Sequence, residues 1–159
     1  MHVAQAMTRP VRTIGVENTL ADAASLLWST DCGALPVVNE SGCVVAMLTD
    51  RDICMHAWTQ GKALSELQVH GAMSAHVVTC LPADSVDQAE RLMQQYQIRR
   101  LPVVDDQGHA VGMLSLSDLS RAAEASSSGH GLAPWELVHT LAAVSRPGGG
   151  RHAQFEAAR

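Results

Sequence analysis

Leu35-Pro36-Val37-Val38-Asn39-Glu40-Ser41-Gly42 returns later in the chain as Leu101-Pro102-Val103-Val104-Asp105-Asp106-Gln107-Gly108. Each octet is a compact apolar tetrad followed by a polar tetrad that closes on glycine, the pattern of a strand running into a hairpin turn. The two stand 66 positions apart (101 − 35). Kept at that offset, Ala6–Ile53 aligns on Ala72–Leu119 without a gap. Identical pairs include Met7/Met73, Thr13/Thr79, Ala23/Ala89, Leu26/Leu92, Val45/Val111, Leu48/Leu114 and Asp52/Asp118. Self-similarity of this length identifies two copies of one structural unit.

Working outward from the octets, the order of elements is the same in both copies. The turns lead into apolar segments, Cys43–Leu48 and His109–Leu114, expected to pair antiparallel with the strands before them. Upstream, Thr19 and Ser85 are natural helix N-caps, with Asp22 and Gln88 three positions later completing capping boxes. Leu20, Ala23, Ala24 and Leu27, and likewise Val86, Ala89 and Met93, recur at helical spacing behind those caps. Short strands are expected before these helices, over Val11–Ile14 and Val77–Cys80, and a second helix is expected from Thr49 and from Ser115. Each repeat is thus β-α-β-β-α, an α/β (α+β) fold with one sheet covered by helices. The expected boundaries are 1–60 for the first repeat, 61–125 for the second and 126–159 for the remainder. In that remainder Ser126–Gly129 reads as a flexible linker. Pro134 opens a helix whose Leu137, Val138, Leu141 and Val144 share a broad face, expected to pack on the repeats or on a second subunit. Pro147 and three glycines end it, and Arg151–Arg159 is expected to be disordered.

Composition narrows the function classes. The 159 residues are 47 % hydrophobic and 17 % charged, a globular balance. A net charge of −5 argues against nucleic acid as a general partner, which needs a basic face. Met1–Pro10 lacks the apolar centre of a signal peptide, and runs such as Val44–Leu48 are far too short to cross a bilayer. The expected location is the cytoplasm, with no membrane partner. Cys32, Cys43, Cys54 and Cys80 form no C-x-x-C pair and read as small core residues. Eight histidines show no metal-ligand spacing, so no metal is expected; His56, His70 and His76, near the junction of the repeats, read as surface or partly buried structural residues. No nucleophile elbow and no phosphate loop occurs, so no enzyme activity is expected.

The repeat resembles the cystathionine-β-synthase (CBS) domain, and two in tandem resemble the Bateman module. The likeness covers roughly residues 5–122: the opening Ala6-Met7-Thr8 and Ala72-Met73-Ser74, the Leu-Pro-Val-Val strands, and a strand ending in Thr49-x-x-Asp52 or Ser115-x-x-Asp118. Gly112 to Asp118 is similar to the nucleotide-binding loop in the γ subunit of AMP-activated protein kinase. The resemblance implies two repeats packed as a pseudo-twofold pair plus the C-terminal helix, a flat homodimer of such modules, and an adenosyl ligand in the clefts between the repeats. AMP, ADP or ATP is the leading ligand; S-adenosylmethionine and NAD are the other candidates. The implied role is a non-catalytic sensor with an unidentified downstream protein partner. A purely structural or protein-interaction module whose clefts stay empty is the alternative.

Site residues carry over motif by motif. In the stronger site the resemblance gives Ser115 and Asp118 to the ribose, since a carboxylate accepts from two vicinal hydroxyls, and counts Ser117 among the nucleotide-binding residues. Arg99 and Arg100, which match a basic pair in the kinase subunit, are given to the phosphate; arginine's planar donors suit phosphate oxygens. Thr8, Val11 and the backbone of Cys32, Gly33 and Ala34 are expected as the opposite wall. The weaker site has Thr49, Arg51 and Asp52, with Ser74, Val77 and Ile98 opposite. Gly33 and Ala34 occupy the positions of Arg99 and Arg100 in the first repeat, so the basic pair belongs to one site. Spacing alone leaves a second reading open. Thr49-x-x-Asp52 and Ser115-x-x-Asp118 are also capping boxes, as Thr19-x-x-Asp22 is where no ligand is suspected.

Overall fold

The computed structural model describes residues 1–125 and 134–146. The expected linker at Ser126–Gly129, and the segment from Pro147 through Arg151–Arg159, lie outside the described residues. The elements in order are α1 (Val3–Ala6), β1 (Ile14–Gly15), α2 (Leu20–Ser29), β2 (Ala34–Val38), β3 (Val44–Thr49), α3 (Asp50–Gln60), a 3₁₀ turn (Leu64–Glu66), α4 (Val69–Ala72), α5 (Val86–Tyr96), β4 (Arg100–Val104), β5 (Ala110–Ser115), α6 (Leu116–Ala125) and α7 (Pro134–Val144). The result is the mixed α/β architecture expected from the repeat.

Two compact units divide the chain, and neither is a single continuous stretch. The first-repeat unit is Pro10–Val77 together with Val104–Val111. The second-repeat unit joins Met1–Arg9 to Val78–Val103 and the chain from Gly112 on.

In the first-repeat unit the sheet order is β1-β2-β3, with β1 parallel and β3 antiparallel to β2. The hairpin register sets Leu35 opposite Leu48 and Pro36 opposite Met47. Its turn is held by Asn39, whose Oδ1 accepts from the N–H groups of Ser41 and Cys43 at 3.1 and 3.0 Å. Asp105 repeats the device, accepting from Gln107 and His109 at 3.0 and 2.8 Å. Those backbone bonds hold the exposed Asp105 carboxyl below its usual range. Gly42 and Gly108 close the turns at φ +80 and +88°, a region that an L side chain rarely adopts. Around the sheet, Leu20, Ala23, Leu35, Val37, Ala46, Leu48 and Ile53 form one buried cluster with Val69. Burying each large aliphatic side chain stabilises the fold by about 1.5–3 kcal/mol.

The second-repeat unit buries the equivalent set: Val86, Ala89, Met93, Leu101, Val103, Leu114 and Leu119. Thr19 and Ser85 cap α2 and α5 as expected, and each capping box is complete. The Thr19 bonds hold the Asp22 carboxyl low.

Two expectations need correction. The strands expected over Val11–Ile14 and Val77–Cys80 shrink to Ile14–Gly15 and to a single bridge between Cys80 and Val103. The pairing edge explains this: the Pro102 carbonyl accepts from the Cys80 N–H at 3.1 Å, but neither Pro36 nor Pro102 has an N–H to return. The segments before Thr8 and Ser74 are single helical turns, α1 and α4, closed by matching bonds from Met7 to Val3 and from Met73 to Val69, each 2.9 Å. Four residues are too few to show a helical period. The second correction concerns α7, whose face toward its unit is only partly the one expected. Val138 and Leu141 are 65 % and 51 % exposed, whereas Thr140 and Val144 are buried. Thr140 donates to Glu90 Oε1 at 2.9 Å and accepts from Gln94 at 2.7 Å, so α7 docks on α5 through a polar seam.

Candidate functional site

In the second-repeat unit, β5 ends at Ser115 and α6 begins at Leu116, so the helix start lies at the carboxyl end of a strand. Ser115 caps that start. Its hydroxyl accepts from the Asp118 N–H at 3.2 Å and donates to Asp118 Oδ2 at 2.5 Å, and its N–H reaches the same oxygen at 2.7 Å. Thr8 arrives from the chain's N-terminal segment. It exchanges two backbone bonds with Met113, 2.8 and 3.1 Å, which leave its hydroxyl to donate to Asp118 Oδ1 at 2.6 Å. Asp118 is 4 % exposed, so a buried carboxylate stands among two hydroxyls and a helix N-terminus.

Of the basic pair, Arg99 has its backbone tied to the start of α6. The Arg99 carbonyl accepts from the Leu116 N–H at 3.1 Å, which fixes Arg99 beside the first turn of α6. Arg100 opens β4, and both arginines are exposed. Ser117, on the first turn of α6, is exposed as well. Sequence reasoning overlooked Arg121. Its guanidinium pairs with Asp118 Oδ1, three residues back along α6. The signal was present, because residues three apart on a helix are neighbours.

Of the remaining residues expected at this site, Val11, Cys32, Gly33 and Ala34 belong to the first-repeat unit. There the Gly33 carbonyl accepts from the Asp50 N–H at 3.3 Å, the counterpart of the Arg99–Leu116 bond. Cys32 is half-buried with its sulfur 3.1 Å from the Thr30 hydroxyl.

The first-repeat unit carries the matching cap with a different arrangement around it. Thr49 bonds Asp52 Oδ2 through its N–H at 2.9 Å and its hydroxyl at 2.7 Å. Ser74, the counterpart of Thr8, accepts from the Met47 N–H through its hydroxyl at 2.9 Å, so that oxygen serves the backbone. Arg51 is exposed and Val77 half-buried in this unit, while Ile98 belongs to the other.

Among the described residues no three His, Cys, Asp or Glu side chains are gathered as metal ligands would be. Burial, with the charge of Asp84 adding to it, pushes the Cys80 thiol up to about 12. It therefore stays protonated and unreactive near neutral pH. Cys54 is exposed, contrary to the expectation of four core cysteines. The first-repeat unit also has an apolar groove of about 670 Å³ between α2 and α3, lined by Ala24, Leu27, Trp28, Ile53 and Ala57. Among the described residues no helix is long and apolar enough to cross a membrane.

Comparison with known proteins places these geometries in context. The CBS domain family model matches residues 3–58 and again 65–125. The CBS domain-containing protein YhcV of Bacillus subtilis (strain 168) is 42 % identical over 118 residues, covering 74 % of this chain and 82 % of that protein. The CBS domain pair of protein MJ0100, solved in complex with 5′-methylthioadenosine and S-adenosyl-L-methionine, superposes with a TM-score of 0.69 at 27 % identity, over 80 % of this chain and 98 % of that one. CBSX2 in complex with AMP gives a TM-score of 0.67 at 25 % identity, over 78 % and 96 %.

Proposed function

This chain belongs to the CBS domain family, and from that premise we propose that it is a non-catalytic sensor that binds an adenosyl ligand, AMP foremost. The observation that carries the reading is the buried Asp118 carboxylate at the start of α6, with the hydroxyls of Thr8 and Ser115 on it and the Arg99 backbone bonded to the same turn. A carboxylate beside hydroxyls suits a ribose diol, and a neighbouring pair of guanidiniums suits a phosphate. In this reading Ser115 and Asp118 hold the ribose, Ser117 contacts the nucleotide, and Arg99 and Arg100 meet the phosphate. Thr49, Arg51 and Asp52 hold a second ligand that lacks the arginine pair. ADP, ATP, S-adenosylmethionine and NAD are the other adenosyl compounds this chemistry admits. The relatives support the class: one CBS pair is solved with 5′-methylthioadenosine and S-adenosyl-L-methionine, another with AMP.

A sensor of this kind acts in the cytoplasm as a homodimer, and its ligand shifts an equilibrium only through differential affinity for the states involved. A thermal-shift panel of adenosine, AMP, ADP, ATP, S-adenosylmethionine and NAD tests the reading. At 100 times its Kd a ligand stabilises the native protein by about 2.7 kcal/mol. For a chain of this size that amounts to roughly 5–10 °C in Tm. No shift with any member sinks the sensor reading and leaves a module that works through protein contacts alone.

A further inference from the structure

Asp118 already has a full set of partners. Oδ2 takes the Ser115 N–H and hydroxyl at 2.7 and 2.5 Å, and Oδ1 takes the Thr8 hydroxyl at 2.6 Å and the Arg121 guanidinium. A carboxylate offers about four lone-pair positions, so a ribose hydroxyl donates to Asp118 only when one donor leaves. Three of the four are held in place. The Ser115 groups cap α6, and withdrawing them orphans donors at the helix start. Thr8 is anchored by its two backbone bonds to Met113. Arg121 is different: its side chain is 64 % exposed, and water solvates the guanidinium wherever it swings. Only the arginine end of the pair is exposed, and solvent around that guanidinium screens its hold on the buried carboxylate.

We propose that Arg121 is a latch on Asp118, which the ribose diol displaces when an adenosyl ligand binds. The inference rests on the reading of Asp118 as the ribose acceptor. It also assigns Arg121 a part in selectivity. Every ligand has to break the pair, but a displaced guanidinium near a bound phosphate regains an anionic partner, whereas beside a neutral nucleoside it regains only water. Arg121 therefore lowers affinity for adenosine more than for AMP. The first repeat has Met55 at the corresponding position (121 − 66), and a thioether forms no ion pair with Asp52. Ligand at Asp52 faces no such competitor from that position.

Calorimetric titration of the parent chain and of Arg121→Met with adenosine and with AMP tests the latch. Arg121→Met is expected to bind adenosine about three- to ten-fold more tightly and AMP by a smaller factor, so that the preference for AMP over adenosine narrows. In the parent chain, raising salt from about 0.05 to 0.5 M screens the ion pair, so affinity for uncharged adenosine rises; in Arg121→Met it stays flat. The salt series on the parent keeps the test open if the variant folds poorly. Adenosine affinity that is unchanged or weaker in Arg121→Met, or insensitive to salt in the parent, overturns the latch. If Asp118→Ala still abolishes binding in that case, the ribose reading stands without it. If the parent binds neither adenosine nor AMP, the ribose reading fails and the latch fails with it.

Discussion

At the scale of single residues, Asp118 and Asp52 show how one motif takes on two environments. Both accept from a capping hydroxyl three residues back, and Asp118 also accepts from the opening segment, through Thr8. Their counterparts in the opening segments differ in parallel: the Ser74 hydroxyl accepts from the Met47 N–H, whereas Thr8 meets Met113 through its backbone alone and donates its hydroxyl to Asp118. The proposed division of labour between ribose and phosphate makes a prediction that separates capping from binding. A charge-assisted hydrogen bond contributes about 1.5–3 kcal/mol, roughly ten-fold to over a hundred-fold in affinity. Arg100→Ala is expected to weaken AMP by at least the lower factor and to leave adenosine almost unchanged. Asp118→Ala is expected to weaken both, because the ribose is common to them. Calorimetry on the two variants decides. Undiminished AMP affinity in Arg100→Ala removes that residue from the phosphate site, and unaltered affinity per folded molecule in Asp118→Ala reduces Asp118 to a cap. The Ser115–Asp118 cap was legible in the sequence because both partners lie within one turn. The Thr8 bond was not, since it joins residues 110 positions apart and only the fold brings them together.

At the scale of elements, the helices and hairpins followed from local chemistry, and the departures came where local chemistry was silent. Capping boxes fixed the starts of α2 and α5, and the Asn39 and Asp105 turns fixed the hairpins. In α7 Glu136, His139 and Thr140 share one side by helical spacing, yet Thr140 on that side is buried while Val138 and Leu141 are exposed, so the apolar stripe did not mark the buried face. A buried polar contact selected it instead. Burial pushes the Glu90 carboxyl up from its usual range, the charges of Glu136 and Asp87 add to this, and the bond from Thr140 opposes it. A carboxyl raised in the folded state binds its proton more readily there than in the unfolded chain. Stability is therefore greatest below the ordinary glutamate range and falls as pH rises from that range to the raised value. Above that window the penalty of a buried charge is fully present. Glu90→Gln keeps an acceptor for Thr140 and removes the charge. The variant is expected to be more stable than the parent at neutral pH and to lose the decline through this window. Urea unfolding from about pH 4 to 8 provides the comparison. A variant less stable at neutral pH shows that the ionised carboxylate strengthens the α7 seam.

At the scale of the whole molecule, the two copies of the repeat differ in what lies on the same helical face among the described residues. In the second-repeat unit α7 packs on α5 and α6, and its contacts fall on Glu90, Gln94 and Gln97 of the α5 segment. Shifted by 66 positions, those residues become Ala24, Trp28 and Asp31. All three line the open groove between α2 and α3 in the first-repeat unit. One copy of the repeat thus has its helical face covered by a helix through a polar seam, and the other presents the same face with an apolar floor. Trp28 is 90 % exposed and Trp58, near the end of α3, is 76 % exposed. Large exposed aromatics at a concave apolar surface are what a protein interface buries at its centre. In the proposed homodimer the cover is the same face of a second copy, with Trp28 and the apolar floor meeting their own counterparts across a twofold axis. Trp28→Glu places a carboxylate at the centre of that contact and is expected to shift the protein from dimer to monomer in sedimentation equilibrium. Its melting transition, read at equal monomer concentration, moves down by no more than the lost association accounts for. Trp135→Glu, on the exposed side of α7, serves as the control and is expected to leave the dimer intact. A dimer that survives Trp28→Glu and dissociates with Trp135→Glu moves the interface to α7 and leaves the α2–α3 groove to another partner.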